Sequence, residues 1–208
     1  MNDQPVANTT SFGAIGFGFS LLLLSLYMAQ ILDTNAMGVI LATGLFAGGL
    51  APLIAGLWSL KTGNSFAAIT YILAATFWFS YAFIYFLPAL GLVTPVTEPA
   101  VAMLMQMPFF FLWGLLAFWL FLSSMKTNRV LQINFFLLAI FLWLVAFGYF
   151  HAWESWNTTT IADITLVWIA GWVGVAAGFV GIYYGLASVL NETYKREIMP
   201  LGQIPPST

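Results

Sequence analysis

The chain has 208 residues, of which 62% are hydrophobic and only 6% are charged, and its net charge is −2. Soluble domains carry about 25% charged residues, so lipid must be the solvent for most of this chain, and a nucleic-acid partner is disfavoured. The lack of cysteine and the single histidine exclude disulfides, thiolate sites and a multi-histidine metal site within one chain. We therefore predict no cofactor and no metal.

Six apolar runs are long enough to cross a bilayer, which takes roughly 20 residues. In chain order they cover residues 12–32, 36–60, 65–87, 100–124, 130–150 and 164–190. The strands of a membrane barrel alternate over about 10 residues, whereas these runs are continuous, so we predict an all-α membrane protein with six transmembrane helices. A polar segment of residues 1–11 precedes this domain of residues 12–190. A tail of residues 191–208 follows, and we expect it to be unstructured after Lys195.

All basic residues lie at one set of span ends. They fall between spans two and three, between spans four and five, and after span six: Lys61, Lys126, Arg129, Lys195 and Arg196. Cytoplasmic loops are enriched in Lys and Arg. The sequence therefore predicts a multi-pass protein of the cell membrane with both termini, and the tail, in the cytoplasm.

The middle of each span contains no Asp, Glu, Lys, Arg or His. Charged residues at that depth are costly and mark proton relays or ion sites, so a pump built on a membrane carboxylate is disfavoured. No carboxylate pair or Ser/His/Asp set occurs at one depth either, and we predict that the protein is not an enzyme. The uncharged polar side chains either line a pore or bond a neighbouring helix. The candidates for lining a pore are Ser20, Thr43, Thr70 and Gln132.

Glycines recur every three or four residues in the sixth span and therefore share one helix face. They are Gly171, Gly174, Gly178, Gly181 and Gly185. Gly44 and Gly48 form a shorter pattern in the second span. Small residues let membrane helices approach closely, so we predict a packing role, within or between subunits, for all seven glycines. Pro52 and Pro108 are expected to kink the second and fourth spans.

Three blocks of sequence resemble the acetate uptake transporter family, which includes bacterial succinate–acetate permeases. The first block comprises Phe46, Gly48-Gly49, Ala55-Gly56, Gly63-Asn64-x-Phe66 and Phe77-Trp78. The second is Arg129-Val130-Leu131-Gln132, followed by Phe135-Phe136. The third is Ala170-Gly171-Trp172-x-Gly174, followed by Val189-Leu190-Asn191-Glu192. The blocks occur in the family's order, and the resemblance covers residues 8–203.

This resemblance implies a ring-shaped homo-hexamer with one pore per subunit and transport of acetate and similar small monocarboxylates, with succinate in some members. It also implies a narrow waist of one Phe, one Tyr and one Leu. Phe17 and Leu138 occupy two of these positions, and Ala74 occupies the Tyr position. Tyr71 lies one turn earlier on a similar face and is a candidate substitute for the missing tyrosine.

Two asparagines stand at the starts of predicted spans. Asn8 precedes the first span and Asn64 the third. The free N–H groups and the dipole of a helix N-terminus favour a negative charge. We therefore expect both residues to contact the substrate at the cytoplasmic mouth of the pore.

The chain departs from the family pattern at several pore positions. Pro52 replaces a common Gln, Ser59 replaces a common Glu, and the segment 8–14 keeps only the Asn and Gly of the family's signature. Three hypotheses follow. The first is a channel or transporter for acetate-like monocarboxylates, carried as the protonated acid. The second is a channel for a small neutral solute such as urea or a short amide. The third is a membrane protein that transports nothing.

Overall fold

The structure, a computed structural model, describes residues 9–154 and 161–204. It contains six helical segments that are long and apolar enough to cross a membrane. The prediction of six helical spans is therefore confirmed. The second span is composite, and the others are single α-helices. In chain order the elements are α1 (Thr10–Met28), a 3-10 turn (Thr34–Ala36), α2 (Met37–Thr43), a π-helix (Gly44–Leu50), α3 (Ala51–Lys61), α4 (Ser65–Ala89), α5 (Pro99–Ser124), α6 (Arg129–Glu154) and α7 (Ile161–Tyr194).

The second span changes its helical pitch before Pro52. The π-helical segment Gly44–Leu50 joins α2 to α3, and Pro52 stands at the start of α3. Proline has no N–H to donate to the preceding turn, and a π-type segment is one way for a helix to absorb the interruption. In the second span a change in pitch thus precedes Pro52, and the kink itself stays a prediction.

Helix α1 packs antiparallel against the glycine face of α7. A Cβ atom added at Gly171, Gly178 or Gly185 would meet Ala29, Leu22 or Ile15 respectively. The three glycines follow one another at intervals of seven residues along α7, and their partners follow at the same interval in the reverse order along α1. This is the pattern of two helices in close antiparallel contact. The α7 glycines thus lie against α1 within one subunit, and Gly174 and Gly181 lie between these contacts, against Ser25 and Asn134.

The indole ring of Trp78 in α4 packs against the glycines of the second span. A Cβ atom at Gly44 or Gly48 would lie 2.6 Å from atoms of the Trp78 ring. Trp78 is fully buried at this contact. Close approach of the two spans therefore depends on the absence of side chains at Gly44 and Gly48.

The helices do not all pack on their sequence neighbours. Helix α5 packs mainly on α6, α6 also packs on α7, and the backbones of α4 and α5 stand apart with aromatic side chains such as Phe77 and Trp113 in contact between them. Because the backbone of α4 lies against the second span, a space remains between α4 and α5 beside these rings. This space forms part of a cavity inside the helix bundle.

The tail is ordered as far as residue 204, which corrects the prediction that it is unstructured after Lys195. The side chain of Asn191 accepts hydrogen bonds from the N–H groups of Ile198 and Met199 and donates one to the Met199 carbonyl. The tyrosine hydroxyl of Tyr183 donates to the carbonyl of Pro200 at 2.8 Å. These bonds hold residues 198–200 against the last turns of α7.

The same segment docks on the connection between α5 and α6. Leu201 is buried, and the backbone N–H of Arg129 donates to the carbonyl of Gly202 at 3.0 Å. The N–H of Ile204 donates to the carbonyl of Thr127 at 3.2 Å. Hydrogen bonds to a distant turn were not visible in the sequence, because proline and polar residues are equally typical of disordered tails.

Candidate functional site

A cavity of about 70 Å³ lies between α1, α4, α5, α6 and α7. Aliphatic and aromatic side chains make up most of its wall, and no Asp, Glu, Lys, Arg or His of the described residues lines it. One water needs roughly 10–15 Å³ of such volume. The cavity therefore has room for a small molecule of a few non-hydrogen atoms.

All four residues predicted to form the waist line this cavity. Phe17 comes from α1, Tyr71 and Ala74 from α4, and Leu138 from α6. Tyr71 and Leu138 are buried, and the Phe17 ring stands edge-on to Trp78 with centroids 6.5 Å apart. Because Ala74 has only a methyl group where the family pattern has a phenol ring, open volume remains between these side chains. Their role in conduction stays a prediction.

Hydroxyl groups supply the polar character of the wall. Thr70, Tyr71 and Tyr184 line the cavity. The side chains of Tyr71 and Tyr184 both hydrogen-bond to Thr10 at the start of α1. Thr70 is 9% exposed, and its Oγ1 is buried without a hydrogen-bond partner among the described residues. Of the four residues predicted from sequence to line a pore, Thr70 is the one that reaches this cavity.

Ser20, Thr43 and Gln132, also predicted to line a pore, lie outside the cavity wall. The Ser20 hydroxyl is buried and donates to the carbonyl of Thr43 at 3.0 Å and to that of Gly16 at 3.1 Å. It thus satisfies a backbone carbonyl next to the π-helix, where the regular helical hydrogen bonds are displaced. Ser20 and Thr43 therefore join α1 to the second span.

Gln132 links the two ends of the α5–α6 connection. Its Nε2 donates to the carbonyl of Ser124 at 3.3 Å, and its Oε1 accepts from Arg129 at 2.9 Å. A buried amide must be hydrogen-bonded, and here both its groups are used by the turn. Gln132 thus stabilises the turn and does not line the cavity, and its predicted pore role stays a prediction.

The two asparagines expected at the mouth have different outcomes. Asn8 lies outside the described residues. Asn64 is exposed and is the N-cap of α4, where its Oδ1 accepts from the Ala67 N–H at 3.1 Å. This is the ordinary capping role of asparagine. Asn64 does not line the cavity.

Sequence reasoning missed Tyr184, Ala14 and Phe77, which also line the cavity. A signal existed for Tyr184, because it stands between Gly181 and Gly185 and so borders the glycine face that α1 covers. Phe77 packs edge-on against Trp113 of α5 with ring centroids 5.5 Å apart. That contact joins α4 to α5 beside the cavity, and nothing in either helix alone indicates it.

A family model described as the GPR1/FUN34/yaaH family matches residues 1–205 of this chain. The chain belongs to this family. With six helices of spanning length, this family member is a multi-pass membrane protein. The resemblance drawn from the three sequence blocks is thereby confirmed.

Several relatives of this family member carry the names of transport proteins. The succinate-acetate/proton symporter SatP of Escherichia coli strain K12 is 32% identical over 203 residues, which are 98% of this chain and 99% of the relative. Acetate permease A of Emericella nidulans is 25% identical over 207 residues, which are 96% of this chain and 67% of the relative. A solved structure of the bacterial acetate channel SatP superposes with a TM-score of 0.84 at 31% identity, covering 95% of this chain and 99% of that one.

Proposed function

We propose that this chain is a channel or transporter for acetate and similar small monocarboxylates in the cell membrane, with one pore per subunit. The observation that carries the proposal is the small uncharged cavity bounded by Phe17, Tyr71, Ala74 and Leu138. Its size suits a short carboxylic acid, and its position between helices is typical of a transport pathway. The names of the relatives, acetate permease and succinate-acetate/proton symporter, support the same substrate class.

The cavity wall favours the protonated acid over the anion. A buried carboxylate without an opposite charge or several donors is strongly disfavoured, and the described wall offers three hydroxyls and no cation. A neutral acid loses less hydration free energy than its anion when it leaves water. Movement of the acid with its proton would couple acetate to the proton gradient without any carboxylate of the protein, in line with the symporter name of the Escherichia coli relative.

The proposal is tested by the flux of labelled acetate into liposomes that contain the purified protein. We expect uptake well above that of empty liposomes, which account for diffusion of acetic acid through lipid. Uptake equal to that of empty liposomes, for acetate and propionate alike, would show that the protein transports nothing and favour the third hypothesis. Urea and acetamide are the matched competitors. Strong inhibition of acetate uptake by either would instead support a channel for neutral solutes.

We further propose a homo-hexamer with both termini in the cytoplasm. The family resemblance supports the ring, and the five basic residues at one set of span ends support the orientation.

Since the chain has no cysteine, a single introduced cysteine shows on which side of the membrane its loop lies. We expect an impermeant maleimide to label Thr94→Cys in intact cells and Thr62→Cys only after permeabilisation. The reverse pattern contradicts the orientation, and a native mass other than six copies contradicts the hexamer.

A further inference from the structure

The Thr70 hydroxyl is an unusual polar group for a membrane helix. Threonine hydroxyls in helices ordinarily donate to a backbone carbonyl of the preceding turn. Thr76, six residues along the same helix, does so, with its Oγ1 2.9 Å from the Leu73 carbonyl. Thr70 Oγ1 has no such bond, although only 9% of the residue's surface is exposed. It lies in the wall of the cavity.

The other two hydroxyls of the cavity wall, unlike that of Thr70, already have a hydrogen-bond partner within the protein. Tyr71 and Tyr184 have Thr10 as a shared hydrogen-bond partner. A buried hydroxyl without a partner costs free energy that a bound polar group recovers. Thr70 is therefore the point in the wall at which a polar ligand gains most, and the side chains beside it, Leu73, Ala74 and Phe77, are apolar.

We propose that Thr70 Oγ1 is a specificity-determining contact, which binds the carboxyl group of a protonated monocarboxylic acid and leaves no site for a second carboxyl. A hydroxyl donates and accepts, and a protonated carboxyl has one donor and further acceptors, so the two groups are complementary. The short alkyl group then lies against Ala74 and Phe77. This inference rests on the proposed transport of small carboxylates and narrows its substrate class.

Two properties of the cavity disfavour the binding of dicarboxylic acids. The second carboxyl of succinic acid would reach apolar walls and remain unpaired, and each unpaired buried polar group is disfavoured. Succinic acid also has twice as many non-hydrogen atoms as acetic acid, whereas the cavity of about 70 Å³ holds roughly five to seven water-sized volumes. We therefore expect this chain to reject succinate, although the Escherichia coli relative is named for both acids.

The experiment compares Thr70→Val, which keeps the shape and removes the hydroxyl, with Thr70→Ser, which keeps the hydroxyl. Loss of one neutral hydrogen bond predicts an increase of about three- to tenfold in the acetate concentration that gives half-maximal flux. Thr70→Ser is expected to stay near the unmodified protein. Thr76→Val is the matched control, because it removes a threonine hydroxyl that is exposed and bonded to its own helix.

Competition separates the substrate classes. Excess propionate is expected to inhibit labelled acetate uptake, and excess succinate is expected to leave it unchanged. Inhibition by succinate as strong as that by propionate overturns the exclusion of dicarboxylates. Normal acetate flux with unchanged half-saturation in Thr70→Val overturns the role of Thr70 and leaves the proposed function standing. Absence of acetate flux in the unmodified protein overturns both. If Thr70→Val does not assemble, Thr70→Ala serves as the second variant under the same criteria.

Discussion

Replacement of Ala74 by tryptophan is expected to lower acetate flux about tenfold or more in reconstituted liposomes. Ala74 lines the cavity between Phe17, Tyr71 and Leu138, and an indole ring is larger than the space of about 70 Å³ that remains there. The ring would close the apolar constriction, and narrow apolar constrictions control passage in channels. The measurement is the initial rate of labelled acetate uptake, normalised to the amount of protein in the membrane.

Ala74→Ser is the matched control, because serine at the same position adds little volume and leaves the cavity open. We expect its flux to stay within about twofold of the unmodified protein, since a serine hydroxyl in a helix can donate to a backbone carbonyl of the preceding turn and then offers the solute no free donor. Size-exclusion chromatography in detergent checks that both variants assemble. Unchanged flux through a correctly assembled Ala74→Trp variant would show that the solute passes elsewhere, and the candidate site would have to be abandoned.

Gly171→Ala is expected to lower the free energy of unfolding by about 1–3 kcal/mol, the usual cost of overpacking a tight contact. A Cβ atom at Gly171 would meet the backbone of Ala29 and Met28 at the end of α1. Backbone atoms cannot turn aside as a long side chain can, so the two helices must separate. Thermal unfolding in detergent, followed by circular dichroism or by loss of the folded species, measures the effect.

Gly181→Ala is the control on the same face of the same helix. A Cβ atom there would be 3.5 Å from Asn134 Oδ1 and 3.6 Å from the Gly18 Cα, which is ordinary van der Waals contact. Alanine also favours the helix over glycine by up to about 1 kcal/mol. We expect no loss of stability. Equal destabilisation by the two substitutions would contradict the close α1–α7 contact described for this subunit.

The membrane fold could be predicted with little loss from the sequence. Apolar length is a local property of the chain, and each of the six predicted spans coincides with helical segments of the structure to within a few residues. The packing role of the α7 glycines was also predictable, because their spacing defines a face. The partner of that face was not predictable, because nothing in the sequence distinguishes Ala29, Leu22 and Ile15 from other apolar residues.

The candidate site divides in the same way. The waist residues came from a family pattern, and the structure brings Phe17, Tyr71, Ala74 and Leu138 to one cavity. Among the polar candidates, spacing and composition did not separate Thr70 from Ser20 or Gln132. The structure does, because Ser20 and Gln132 bond backbone carbonyls and Thr70 Oγ1 has no partner among the described residues.

The sequence by itself determined that this chain crosses the membrane six times, which face of α7 packs closely, and which family it resembles. Those conclusions depend on apolar length, period and residue identity, all of which are properties of consecutive residues. Only the tertiary structure decided which of the polar candidates reaches the cavity, and that the tail docks on the turn before Arg129. Both depend on how each helix is rotated and placed against its neighbours. That rotation is set by the packing of the whole bundle, and no single segment encodes it.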